Sequence, residues 1–192
     1  MELNELRART LDDFRSRVHG VRDDQWDAPT PCTEWDVRAL VNHLASELRW
    51  SVPLAAGRTL DEVGDRFDGD VLGEDPAATT DEAAEASVAA FRGEHAHAVH
   101  TSQGLLPVEH YLTQMLTDSL VHSWDLAVAT GQSTELDAEA CAEAYQRALA
   151  GRGEIDAARK VGLFGAEIVV PDDASDCDKL LGLLGRDPRA GS

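Results

Sequence analysis

Basic residues are scarce in this 192-residue chain: 17 Lys and Arg stand against 36 Asp and Glu, a formal net charge of −19. A field of that sign repels phosphate backbones and anionic lipid, which argues against nucleic-acid and membrane-surface roles. No apolar run is long enough to span a bilayer, and the opening MELNELRART is polar rather than signal-like. A soluble, cytoplasmic protein is expected. The three cysteines, Cys32, Cys141 and Cys177, are far apart and odd in number. Their spacing suggests neither a disulfide framework nor a Cys-x-x-Cys site, in keeping with a reducing compartment. Gly-rich phosphate loops, a nucleophile elbow, a paired-carboxylate glycosidase pattern, internal repeats and low-complexity tracts are also missing. The length suits one sizeable domain, or one domain with a short appendage.

What is there is mostly helical periodicity. Leu3, Leu6, Leu11, Phe14 and Val18 recur at helical spacing through Glu2–Val18, with Gly20 as a stop. The link DAPTPCTEW holds two prolines, which preclude a continuous helix, and Thr33 stands three residues before Asp36 as an imperfect capping box. A second helix is expected from about Glu34 to Ala56, with Val37, Leu40, Val41, Leu44 and Leu48 as its apolar stripe. His43, Glu47 and Trp50 run along the edge of that stripe. Gly57–Ala78 reads as a long surface connection and Thr80–His100 as helical. A long helix over Val108–Thr130 ends at Gly131, and an alanine-rich helix follows over Asp137–Gly151. Val161–Pro171 has too many Gly and β-branched residues for a helix and reads as an extended arm. Asp178–Gly185 reads as a last short helix. The division expected is a helical bundle over 1–151 and an arm with a short helix over 152–192, packed on the bundle.

The chemistry concentrates in Val108–Gly131. At 3.6 residues per turn, Tyr111, Gln114, Asp118, His122, Asp125 and Ala129 share one face, bordered by Leu112, Leu116 and Leu126 and by Val121 and Val128. A solvated helix would turn its charges away from its leucines. Asp118 and His122 are four apart and able to bind one ion together; His43, at the core border of the second helix, is the natural third ligand. Three protein ligands with open positions describe a catalytic site, and imidazole with carboxylate suits zinc, nickel, iron or manganese. Asp125 is then the candidate catalytic residue, orienting an imidazole or taking a proton.

Each residue also has a plainer reading. An i,i+4 Asp/His pair is often a helix-surface hydrogen bond, a lone histidine at a core edge is usually just satisfied there, and Asp125 would serve as a salt bridge or cap. Three polar groups on one partly apolar face would be costly without a purpose, which favours the site. The rival cluster EHAHAVH, with Glu94, His95, His97 and His100, has no hydrophobic frame and reads as a solvated face. Cys32 has no adjoining histidine and reads as packing under the second helix; Trp35, Trp50 and Trp124 read as core or pocket wall.

Three runs resemble a known family. TPCTEWDVRALVNHL (Thr30–Leu44) is similar to the opening motif of the mycothiol-dependent maleylpyruvate isomerase N-terminal, metal-binding domain, part of the DinB-like four-helix-bundle superfamily. DSLVHSWDLAVATGQ (Asp118–Gln132) resembles its second motif, and FGAEIVVPDDASDCDKLLGLLGRDP (Phe164–Pro188) the tail of its short members. The resemblance implies an all-α, DinB-like up-and-down bundle holding a divalent metal, zinc foremost, through His43, Asp118 and His122. It also implies mycothiol or a related thiol as cosubstrate. The family's carboxylate is usually Glu, so Asp118 is one methylene shorter. About sixty residues follow Gly131, too few for the further C-terminal domain of the full-length isomerase.

The function expected is metal-dependent activation of a low-molecular-weight thiol for transfer to, or isomerisation of, a small electrophile. Trp50, Tyr111 and Gln114 would line the thiol's pocket. The alternatives are a metal- or small-ligand-binding stress or interaction module without turnover, and a metal-free structural bundle. A homodimer is plausible, though nothing in the chain fixes it.

Overall fold

A computed structural model describes residues 2–102, 104–162 and 164–191. It is all-α apart from one hairpin, and four helices form the bundle: α1 (Leu3–His19), α2 (Val37–Ala55), α4 (Pro76–Ala90) and α5 (Val108–Thr130). Hydrogen bonds between helices give their directions. Thr10 on α1 meets Ser119 on α5 (Oγ1···Oγ 2.8 Å), and Arg17 reaches the carbonyl of Ser133 just beyond α5, so α1 and α5 run together. Asn4 donates to the carbonyl of Val88 and Arg15 pairs with Asp81, so α4 runs against α1. Ser51 meets Ser87 at 2.6 Å, which sets α2 alongside α4. α2 therefore opposes α5, and this pair carries the site. Among the described residues no helix is long and apolar enough to cross a membrane.

The consecutive helices α2 and α4 run the same way because the connection between them is not a loose surface link. It holds a one-turn helix, α3 (Leu60–Val63), closed by a Thr59/Glu62 capping box. It then runs back along α2. Ser46 donates to the carbonyl of Phe67, Asn42 to that of Gly69, and the Val71 amide returns to Asn42 Oδ1, each at 2.8 Å. Val63 and Leu72 are buried beneath it.

Other boundaries move for local reasons. Asp36, not Thr33, caps α2, its side chain accepting from the Ala39 amide at 2.8 Å, so the helix starts at Val37 rather than Glu34. The helix expected over Thr80–His100 occupies Pro76–Ala90 instead. Pro76 follows the capping Asp75, and the chain beyond Phe91 turns into an antiparallel hairpin of β1 (Ala98–Thr101) and β2 (Gly104–Pro107). Gly131 does end α5 in the left-handed conformation (φ 70°, ψ 28°).

Beyond the bundle, α6 (Ala138–Ala150) is followed by α7 (Arg152–Lys160), which the sequence reading lacked, and α8 (Asp176–Leu183). Between α7 and α8 the chain is irregular, and the Ile168 amide donates to the Gly182 carbonyl at 2.8 Å. A Cβ at Gly182 would lie 2.5 Å from the Ile168 carbonyl oxygen, so the approach requires glycine there. Leu163 of the expected arm lies outside the described residues. Leu116, Leu120 and Trp124 of α5 pack on Cys141 and Ala144 of α6 and Leu180, Leu181 and Leu184 at α8. This second apolar face frees the opposite, polar stripe of α5 to meet α2.

One polar residue is placed against expectation. Arg7, one of the charges on α1, is fully buried, donating to Asn4 Oδ1 and to Ser87 Oγ and carbonyl, with its guanidinium 5.4 Å from the Phe91 ring centroid. Burial lowers its pKa to about 10, which still leaves it charged.

The reading of the cysteines is corrected. Packing of α8 on α6 brings Cys141 and Cys177 to a Cα separation of 4.9 Å, and they form a disulfide, while Cys32 is free. Sequence spacing holds no sign of such tertiary pairing. Closing a loop of 36 residues stabilises the fold by about 3–4 kcal/mol in the chain-entropy account. Reductant is expected to lower the unfolding free energy by that amount in guanidinium titrations, and Cys177→Ser to reproduce the loss and abolish the response to reductant. Superimposable curves with and without reductant would contradict the pairing.

Candidate metal centre

Antiparallel packing of α2 on α5 carries His43 to the level of Asp118 and His122. His43 Nε2 lies 3.1 Å from Asp118 Oδ2, and His122 Nε2 lies 3.3 Å from Asp118 Oδ1. The two imidazole centroids are 5.2 Å apart and nearly perpendicular. One donor atom from each of the three residues fits within 4.8 Å of the others, and no other such group occurs among the described residues. The rival Glu94–His100 segment forms none: it spans a turn and the start of the hairpin, and no single helix face collects its imidazoles.

The second nitrogen of His122 is already committed. Its Nδ1–H donates to Asp125 Oδ2 at 3.0 Å, which leaves Nε2 directed at Asp118 and His43. A histidine that ligates a metal usually gives its other N–H to a carboxylate, which fixes the tautomer and the ring orientation. Asp125 is fully buried and held from behind by a forked pair of bonds from Arg186, Nη2 to Oδ2 at 2.8 Å and Nε to Oδ1 at 3.2 Å. His43 Nδ1 makes no hydrogen bond among the described residues, so its tautomer is free to adjust. Trp35 covers both rings, with centroids 4.5 Å from His43 and 5.5 Å from His122. Two imidazole nitrogens and a carboxylate oxygen, one tautomer fixed, fit a borderline first-row divalent ion.

The site's electrostatics follow from this packing. Burial opposes a charge on His122, but the charge and hydrogen bond of Asp118, with those of Asp125, raise its pKa to about 9. Burial likewise opposes ionisation of Asp118, yet the two imidazoles beside it hold its carboxyl far below the ordinary range. Burial pushes the Cys32 thiol up, partly offset by the nearby Arg186, and Asp125 and Asp118 push it further. Cys32 is accordingly a thiol, not a ready nucleophile, which agrees with a packing role.

The other expected residues are partly gathered. Tyr111 is buried on the α5 stripe and its hydroxyl has no hydrogen-bond partner. Gln114 and Trp50 are half-buried, and Trp50 packs edge-on against Phe67 (5.8 Å). Arg186 is the participant that sequence reasoning missed. It lies in the third motif, just past α8, and reaches Asp125 over 61 residues of chain by way of tertiary packing alone.

Comparison with known proteins gives a consistent picture. The sequence profile described as the mycothiol maleylpyruvate isomerase N-terminal domain matches residues 7–127, which spans His43, Asp118, His122 and Asp125. Two Mycobacterium tuberculosis proteins, from strains CDC 1551/Oshkosh and ATCC 25618/H37Rv, are each 33% identical over 183 residues. The alignments cover 94% of this chain and 96% of theirs, and both relatives are named as uncharacterized proteins. No solved structure gives a significant match.

A pH dependence follows. With its folded pKa raised to about 9, His122 stabilises the metal-free protein fully below about pH 6.5, a contribution lost as pH rises through 9. A metal ion must displace that proton. Apparent affinity for a divalent ion is therefore expected to climb about tenfold per pH unit between 7 and 9 and then level off. Calorimetric titrations at pH 7 in buffers of different ionisation enthalpy should show about one proton released per ion; zero release would refute the assignment.

Proposed function

The chain belongs to the family of the mycothiol maleylpyruvate isomerase N-terminal domain, and from that premise we propose that it is a metal-dependent enzyme acting on a low-molecular-weight thiol. It holds a divalent ion through His43, Asp118 and His122 and directs the thiol, mycothiol-like, at a small electrophile for transfer or isomerisation. The observation that carries this reading is the bond from His122 Nδ1–H to Asp125, which aims Nε2 at the other two donors and leaves it as the nitrogen an ion would take on displacing its proton. Zinc is the first candidate, with nickel, iron and manganese compatible with the same donors. When bound, such an ion supplies a Lewis acid that lowers the pKa of a thiol.

The protein's own residues supply position. Asp125 has one oxygen on His122 and both on Arg186 and is closed to solvent. It acts through His122 and is a positioning residue that does not exchange protons with substrate. Asp118 and His43 remain partly exposed, with 36% and 28% of their side chains accessible against 7% for His122. Cosubstrates therefore approach from the side of Asp118 and His43. Half-buried Trp50 and Gln114 form the wall there with the buried Tyr111 ring, and Gln114 offers the polar group able to orient a small hydrophilic thiol. The net charge of −19 disfavours polyanionic partners.

One observation favours the alternative, a binding module without turnover. A cavity of about 790 Å³ between α2, α3 and α4 is lined by residues such as Arg49, Val52, Phe67 and Glu82 and lies apart from His43, Asp118 and His122.

Purified wild-type protein is expected to carry one divalent ion per chain by elemental analysis, and His122→Ala to bind it more than about 100-fold more weakly, since loss of a residue behind a ligand already costs 10–100-fold. Thiol consumption against a panel of electrophiles should stop with chelator and resume on adding the ion. Full stoichiometric metal in His122→Ala would refute the site; stoichiometric metal without any turnover across the panel would favour the binding module.

A further inference from the structure

We propose that Glu47 is a fourth protein ligand of this centre and that Tyr111 is the donor that holds it in place. The proposal rests on the metal-binding reading above and extends it to two residues for which that reading gives no part in the centre itself.

Glu47 stands one helical turn beyond His43 on α2, as His122 stands one turn beyond Asp118 on α5. The two helices are antiparallel, so each presents an i,i+4 pair of one imidazole and one carboxylate to the other. Such a pair on one helix face can hold a single ion. The Glu47 carboxylate makes no hydrogen bond or ion pair among the described residues, and the charged groups that act on it are His43 and Asp118. A carboxylate left free beside another carboxylate is repelled by it. Arginines could relieve this elsewhere on the chain, but the ion pairs of Arg38, Arg58, Arg147 and Arg186 all go to other acids. A divalent ion between Glu47 and Asp118 turns that repulsion into attraction. Three rotatable bonds give the Glu47 side chain the reach to close on it.

The second observation is independent. Tyr111 is 5% exposed, and its hydroxyl is a buried group without a partner. An orphaned buried hydroxyl costs about 1–3 kcal/mol, and such groups call for an explanation. Buried on α5 seven residues before Asp118, it feels the charges of Glu47, Arg7 and Asp118, in that order. Carboxylates that ligate metals are themselves commonly hydrogen-bonded by a neighbour. Tyr111 O–H donating to the Glu47 oxygen not used on the ion would give the buried hydroxyl the acceptor it lacks.

The test uses the full chain with Co(II) alone as the probe, whose visible absorption strengthens as its coordination number falls. Wild type, Glu47→Ala, Glu47→Gln and Tyr111→Phe are titrated by competition, with circular dichroism to check the fold. Glu47 is on the surface and should tolerate both changes. Glu47→Ala and Glu47→Gln are expected to weaken Co(II) about tenfold or more and to intensify the visible bands. Tyr111→Phe should weaken it severalfold, and adding it to Glu47→Ala should have no further effect, because its partner is already gone. Unchanged affinity and spectrum in both Glu47 variants would overturn the proposal while leaving the three-residue site intact, provided His122→Ala abolishes binding. An additive Tyr111→Phe effect would overturn the pairing. Failure of the wild type to take up Co(II) would overturn the three-residue site and this extension together.

Discussion

The site depends on one hydrogen bond, from His122 Nδ1 to Asp125, and on the Arg186 guanidinium that holds Asp125 in place. An imidazole free to rotate or to change tautomer would present a lone pair to the cleft only part of the time. Here the ring is fixed from behind and shielded by Trp35, so the nitrogen that faces Asp118 is always the same one. The preorganisation comes from far along the chain. Arg186 follows α8 directly, α8 packs its leucines against α5 and α6, and the Cys141–Cys177 bond ties its first turn to α6. Arg186 and α8 thus shape the site, although none of His43, Asp118 and His122 lies in them.

This arrangement has an energetic cost that the fold must cover. Asp125 is buried completely, and an isolated carboxylate there would be strongly disfavoured; what makes it tolerable is that both oxygens accept charge-assisted bonds. Removing one partner of a buried pair costs about 3–5 kcal/mol because the other charge is left alone, whereas an apolar replacement of the whole pair is often neutral. The polar version is thus poorly explained by stability. It is well explained by the need to aim His122. Arg7 shows the contrasting case: a buried cation in the same bundle, satisfied by neutral oxygens and an aromatic ring, with no carboxylate and no link to the cleft.

Much of this was legible in the sequence, and the reason is geometric. A cluster drawn from two helices leaves a periodic trace, since residues 118, 122 and 125 fall on one face and 43 lies on the edge of another stripe. The stop at Gly131 is similarly local. What could not be read lacks such a trace. Arg186 is one arginine in an irregular segment, and its partner is 61 residues away. The hairpin after α4 is two short strands without strict alternation, hidden by a helical composition upstream. The return of the 57–75 connection along α2 rests on side-chain-to-backbone bonds from Ser46 and Asn42, residues that look like ordinary helix-surface polars.

The centre's asymmetry bears on how it is entered. On one side stand Trp35, Asp125, Arg186 and the packed α8, and there His122 is sealed. On the other, between α2 and α5, Asp118 and His43 stay in partial contact with solvent, and the stripe continues through Glu47, Gln114, Tyr111 and Trp50. The rigid half and the open half are built from different parts of the sequence. The α2–α5 side is the part of the centre that stays in contact with solvent. Of the three clustered residues, His122 is the one held rigidly from behind, and Asp118 and His43 are the ones on the open side.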